Sequence, residues 1–301
     1  MASELPPFEW AEPADLTQAV ALAAAGWVPV AGGVDLVRAM RRTGQGPARL
    51  MSVDRIAGLD AFHGHPRYGL RIGARIRAGR LLPDIWTGKR FAAVHESVEQ
   101  FDAPHVANMG TVVGNLCAAR ADHDLPVSLM AMKGELTVAG PSGTRQVPLT
   151  AFYRAPGATA LTPAEIVTEV FCPGPGTDGG SAFKKLDLIR RRAGDPGRLS
   201  AAATVIYGTE RERIVEATLV LGGVAMPRRF AAAEAMLVGE LPAPDLFTAA
   251  AEAALTGLPL SGVIRAQARA LLRDALMQAN ARAQARHDHF DDAAEIAQEA
   301  L

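Results

Sequence analysis

Just past the middle of the 301-residue chain stand eight residues, Pro173-Gly-Pro-Gly-Thr-Asp-Gly-Gly180, that sustain neither helix nor strand. Regular structure on either side of them must therefore be assembled separately. On the N-terminal side, short strand-like runs alternate with helical ones. On the C-terminal side, Ser181–Leu188, Ala201–Tyr207 and Ala217–Leu221 read as strands, followed by alanine-rich helices from about Phe230 onward. The expected class is α+β in three parts, 1–55, 56–173 and 180–285, with a charged tail at 286–301.

Local signals refine this layout. Asp15 is a helix N-cap ahead of Leu16–Ala25, and Gly26 sits where a helix-ending glycine belongs. Trp27–Val30 reads as a strand running into Ala31-Gly32-Gly33, and a helix from Asp35 to Arg42 follows at once. Strands are expected at Leu50–Val53 and Leu70–Ile72, and a helix over Arg75–Leu82. Ala92–Phe101 has helical spacing, with Val94, Val98 and Phe101 on one face, and Pro104 ends it. Thr111–Leu116 reads as a strand and turn, and Leu125–Met132 as an apolar helix. Glu135–Val138 and Arg145–Leu149 flank a hairpin turn at Gly140–Gly143.

Composition excludes several classes. Lys and Arg number 31 against 32 Asp and Glu, so the chain has no electrostatic footprint for nucleic acid. Cys117 and Cys172 are isolated, and with no C-x-x-C pair an iron–sulfur or zinc site built on this chain alone is not expected. The opening MASELPPFEWAEP lacks the apolar core of a secretory leader, and no apolar run reaches about 18 residues, so a soluble cytoplasmic chain is expected. G-x-S-x-G, Walker and H-E-x-x-H patterns are absent, leaving nucleophilic hydrolysis without support. No catalytic side chain and no metal ligand stands out.

Two glycine turns carry the chemistry. Ala31-Gly32-Gly33-Val34-Asp35-Leu36 joins a strand to a helix. It is either an anion site, with helix N–H groups facing a phosphate, or a tight turn with Asp35 as N-cap. It is not G-x-G-x-x-G, so a Rossmann site is not indicated. Asn108-Met-Gly-Thr111-Val-Val-Gly-Asn115 is the second. Thr111, Asn115 and the later Asp124 either hold sugar hydroxyls or belong to an ordinary loop. His123, between two aspartates, reads as a solvated loop histidine, as do His63 and His65. Lysine occurs only at 89, 133, 184 and 185. The pair Lys184-Lys185 is either solvent-facing or a compact positive charge able to stabilise negative charge on a bound group.

In combination these pieces resemble the FAD-binding medium subunit of molybdenum hydroxylases, from about Phe8 to Asn280. The order is Ala31–Leu36, Leu50–Asp60, Leu70–Ala74, Phe101–Asn115, Leu161–Val167, Ser181–Leu186 and Leu221–Pro227. Each motif is weak alone, and their shared order is specific. The resemblance implies a vanillyl-alcohol-oxidase-like FAD-binding fold: a small N-terminal α/β unit, a middle α+β unit, and a C-terminal antiparallel sheet with a helix bundle. It also implies an iron–sulfur small subunit and a molybdopterin-binding large subunit as partners, and an external electron acceptor.

By the same resemblance, Ala31, Gly32, Gly33, Val34, Asp35 and Leu36 wrap the FAD pyrophosphate. Thr111, Val112, Val113, Gly114 and Asn115 form the second pyrophosphate and ribityl loop, and Asp124 is an FAD-contacting aspartate. Phe101 and Val167 pack near the ring, and Lys184 or Lys185 lies beside the flavin. Three departures stand out. Val34 replaces a threonine or histidine, Val113 replaces the first glycine of a G-G-N turn, and Arg120-Ala121 replaces Ser-Pro. They motivate a rival reading, a flavin-free structural or assembly subunit of the same fold. A self-contained flavin oxidase is disfavoured by the short chain and the absence of a substrate acid–base set.

Overall fold

The structure, a computed structural model, describes residues 4–65, 67–101, 103–176, 178–188, 197–208, 210 and 212–285. The tail expected at 286–301 lies outside the described residues.

The chain opens with a three-stranded parallel sheet in the order Glu9–Ala11, Arg49–Ser52, Val28–Val30. Parallel neighbours need crossover connections, and helices Leu16–Ala24 and Val34–Thr43 lie on the two connections. The Asp15 carboxylate accepts from the Gln18 amide at 2.8 Å, and Gly26 has φ +86°, both as the sequence predicts. Helix Val34–Thr43 therefore begins at the carboxyl end of strand Val28–Val30, the edge where open parallel sheets receive ligands.

A five-stranded antiparallel sheet follows, in the order Phe62–His65, Gly69–Gly73, Ile166–Cys172, Glu135–Gly140, Gly143–Pro148. Its central strand, Ile166–Cys172, is not among the expected strands, although Ile166, Val167, Thr168, Val170 and Phe171 are strand formers. Its partners come from residues 69–73 and 135–140, so the pairing that defines it is remote in sequence. His63 and His65 belong to the edge strand rather than to a loop.

Two local expectations change. Thr111–Leu116 is not a strand and turn: Val112–Cys117 is a helix, capped by Thr111 Oγ1 accepting from the Gly114 amide at 3.0 Å. The β-branched Val112 and Val113 favour strand in isolation, but here both are buried in the main core. Only Ala78–Leu81 of Arg75–Leu82 is helical, as one 3₁₀ turn. The helix expected over Ala92–Phe101 stops at Glu99, short of Pro104, which instead starts the next helix at the first position of Pro104–Met109.

The last part is a four-stranded antiparallel sheet, Gly179–Asp187, Arg198–Tyr207, Ile214–Gly222 and Arg228–Arg229, so Gly179 and Gly180, read as part of the break, instead open its first strand by pairing with Ile206 and Val205. Phe183, Ala202 and Val220 join the main core. The alternate residues Ala182, Ala201, Ala203, Leu219 and Leu221 pack with helices Ala231–Ala235, Pro244–Ala254 and Gly262–Ala285. This period-2 division decides which strand residues face the first half of the chain. Glu96, on helix Ala92–Glu99, clamps the halves, accepting from the Phe183 amide at 2.8 Å and from Arg282 Nη2 at 2.5 Å. Among the described residues no helix is long and apolar enough to cross a membrane.

Candidate functional site

The two glycine turns meet. Ala31–Leu36, Phe101, Thr111, Val113, Gly114, Asn115 and Val167 all line one cavity of about 580 Å³. A second cavity of about 890 Å³ shares Gly32–Asp35, Phe101, Asn115 and Arg120 with it, and adds Asp124 and Lys185. Val112 and Lys184 line neither cavity. Val112 is buried in the core beneath the turn. Val167 and Lys185 stand in different cavities, so the structure does not bring these two expected ring neighbours together.

The first turn is built by backbone contacts. Gly33 has φ +66° and is the N-cap of helix Val34–Thr43; Asp35, read as a possible cap, lies in the first turn instead. A Cβ on Gly32 would lie 2.1 Å from the Met109 carbonyl oxygen and 2.9 Å from the Gly110 Cα. The missing side chain of Gly32 thus serves loop-on-loop packing, where the sequence suggested backbone approach to a ligand. Arg77 pins the far side, donating to the Met109 carbonyl, with Nη2 3.7 Å from Asp54.

Asp35 and Asp124 are tuned in opposite directions. Burial works to raise the Asp35 carboxyl, but the hydrogen bond and charge of His123, with Arg120, outweigh it and hold it below its ordinary value. Burial pushes the Asp124 carboxyl up, and the charges of Lys185 and Arg198 only partly counter it. Asp124 stands at the N-cap of helix Leu125–Ala131 yet makes no side-chain cap bond. One oxygen, Oδ2, lies 3.0 Å from Lys185 Nζ and 3.9 Å from Arg198 Nη1. The other, Oδ1, is buried without a protein partner, as is Asn115 Oδ1.

The pleat separates the two lysines. Lys185 shares a face with Phe183, is only 7% exposed, and donates to the Gln100 carbonyl at 2.7 Å. Lys184 lies on the opposite face with Ala182. Sequence reasoning left this pair open because alternation orients a residue only once the buried face is known.

His123, read from the sequence as a solvated loop histidine, lines the second cavity. It is not solvated: Nδ1 lies 3.0 Å from the Asn115 carbonyl oxygen and Nε2 lies 3.3 Å from Asp35 Oδ1. Arg120 bonds Asp122 through two nitrogens at 3.0 and 2.7 Å, and its Nε stands 3.7 Å from Asp35. The available signal was the density of unlike charges in Arg120–Asp124. The third departure, Arg120, is thus held by carboxylates at the cavity wall.

The arrangement fits a nucleotide with a polyol. Two buried acceptor oxygens without protein donors call for hydroxyl groups. The start of helix Val34–Thr43 offers unpaired N–H groups to an anion. Cys117 also lines the first cavity; burial pushes its thiol up to about 12, so it stands there as a neutral apolar wall.

Known proteins resemble the chain over most of its length. Residues 6–175 match the model of the FAD binding domain in molybdopterin dehydrogenase, and residues 181–281 match that of the CO dehydrogenase flavoprotein C-terminal domain. The chain is 28% identical over 210 residues to the 6-hydroxypseudooxynicotine dehydrogenase complex subunit alpha of Paenarthrobacter nicotinovorans, covering 69% of each. It is 28% identical over 197 residues to the carbon monoxide dehydrogenase medium chain of Afipia carboxidovorans, covering 65% of this chain and 66% of that one. Its structure superposes on a carbon monoxide dehydrogenase from Hydrogenophaga pseudoflava with a TM-score of 0.82 at 25% identity, covering 93% of this chain and 99% of that chain. The chain therefore belongs to the FAD-binding family of molybdopterin dehydrogenases, as an FAD-dependent oxidoreductase medium subunit of the molybdenum hydroxylase type.

Proposed function

We propose that this chain is the electron-relaying flavoprotein of a heteromeric cytoplasmic complex. A molybdopterin-binding large subunit hydroxylates the substrate, and the [2Fe–2S] centres of an iron–sulfur small subunit carry the electrons here. They leave to an external acceptor: NAD, a quinone or oxygen. FAD supplies the redox chemistry that no side chain provides; the chain supplies binding, orientation and charge.

Units 1–55 and 56–173 hold the nucleotide, and 180–285 contributes Lys185. The Ala31–Leu36 turn offers backbone N–H groups to the pyrophosphate, and Thr111–Asn115 closes on it from the other side. Asn115 and Asp124 accept from sugar and ribityl hydroxyls. Phe101 and Val167 form apolar walls. The Lys185 ammonium, in the second cavity and away from Val167, counters the Asp124 carboxylate in that wall. No side chain acts as a general base on this reading.

The observation that carries it is the pair of buried, unpartnered oxygens on Asn115 and Asp124, two residues that line cavities walled by the two glycine turns. The test begins with the visible spectrum of the purified full chain and chromatography of the released cofactor. About one FAD per chain is expected. Reconstituting the complex with the deflavinated chain should then stop acceptor reduction while leaving substrate-dependent reduction of the iron–sulfur centres. Undiminished acceptor turnover would overturn the relay.

A further inference from the structure

His123 sits where the two turns of the cleft meet, 13% exposed, between the Asn115 carbonyl oxygen at 3.0 Å and Asp35 Oδ1 at 3.3 Å. Neither partner has a proton to give, since a carbonyl and a carboxylate only accept. Both contacts are satisfied together only when both ring nitrogens carry a proton, that is, in the imidazolium form. A neutral ring satisfies one partner and turns a lone pair toward the other.

The charges around the ring point the same way. Asp35 on helix Val34–Thr43, Asp122 in the following loop and Asp124 at the head of helix Leu125–Ala131 all interact electrostatically with His123. The cations of the cluster face other carboxylates more closely: Arg120 is bonded to Asp122, and Lys185 and Arg198 face Asp124. Arg120 stands 3.7 Å from Asp35, farther than His123 does. His123 is therefore the nearer counter-ion of Asp35.

We propose that protonated His123 latches the Ala31–Asp35 turn onto the Thr111–Asn115 turn, and that release of this latch as pH rises weakens retention of the flavin nucleotide. The inference rests on the FAD reading of the cleft. His123 acts through the two walls and is a positioning residue. Losing its proton works twice in one direction. The Asp35 turn loses an anchor, and the cleft becomes one charge more negative beside the turn that faces the pyrophosphate.

The test measures the FAD dissociation constant of the deflavinated full chain by flavin fluorescence, from about pH 5.5 to about pH 8.5. Wild type is compared with His123→Gln, which keeps an N–H at the Nε2 position without titrating, and with His123→Ala. Wild type should bind about tenfold more weakly at the upper end, the size of one lost charge-assisted hydrogen bond. His123→Gln should be flat and intermediate, and His123→Ala flat and weak throughout. Thermal midpoints of the deflavinated proteins separate a latch from a general loss of fold, because His123→Gln should melt with wild type. A flat wild-type profile, or a wild-type slope retained in His123→Gln, overturns the latch. Failure of wild type to take up FAD at any pH overturns the cleft assignment itself, and the latch with it.

Discussion

In the half of the chain that ends at Cys172, the core runs up to a cleft in whose walls Asn115 and Asp124 each keep an acceptor oxygen without a protein partner. In the half that begins at Gly179, the layer between sheet and helices is filled by Ala201, Ala203, Leu219, Leu272, Ala275 and Leu276, all fully buried. Both regions bury much of their surface, and Gln278 in the second also keeps a buried oxygen without a partner, but Asn115 and Asp124 in the first stand in cavity walls beside the glycine turns. A buried acceptor left unmade costs roughly 1–3 kcal/mol, so such groups persist where a ligand or water satisfies them. The second region secures stability and holds Lys185 in register. The first region carries the chemistry.

Substitutions separate the two roles. The largest effect is expected from Leu276→Ala, which opens a cavity in the sealed layer and costs about 4 kcal/mol. Chemical denaturation measures it, and FAD bound per folded molecule should stay at the wild-type level. Gly32→Ala should come next at about 3 kcal/mol, because its Cβ meets the Met109 carbonyl oxygen at 2.1 Å. Here flavin content and thermal midpoint should fall together, since the clash forces apart the two turns that form the cleft. Retention of both would mean that the Met109–Gly110 segment yields freely.

Lys185→Met removes the nearest cation of the Asp124 carboxylate and leaves Arg198 at 3.9 Å, and should cost about 2 kcal/mol along with FAD affinity. Lys184→Met, one residue away on the other face, should shift stability by less than about 0.5 kcal/mol and leave flavin content unchanged. Equal effects of the two would break the pleat argument. An acid-dependent effect is expected at Glu165, which lines the first cavity; its hydrogen bond from Arg145 holds its carboxyl down at about 2, against an ordinary value of 4.5. A carboxyl lowered in the folded state adds stability above its unfolded value, and that stability is lost as pH falls through the folded one. Unfolding measured between about pH 4.5 and about pH 2 should therefore show a shallower acid limb in Glu165→Gln.

Much of this was legible in the sequence. Asp15 and Gly26 bracket a helix because a side-chain cap and a left-handed residue are local devices. The strand–glycine–helix turn at residues 28–43 was legible for the same reason, as was the hairpin across Gly140–Gly143. The shared order of seven short motifs pointed to the family before any coordinates, and with it to FAD.

What the chain determined by itself was where helices start and stop, which residues are apolar, and which turns need glycine. Each of these depends on neighbours within a few residues. Tertiary structure alone decided four further points. Val112–Cys117 became helix against its β-branched preference, because burial outweighs a propensity of a few tenths of a kcal/mol. Ile166–Cys172 became the central strand through partners about 30 to 100 residues away. Lys185, and not Lys184, entered the cleft because the sheet has one face toward the first half of the chain. His123 left solvent for the seam between two turns, because the carbonyl and carboxylate that claim it lie 8 and 88 residues away and meet only in the folded chain.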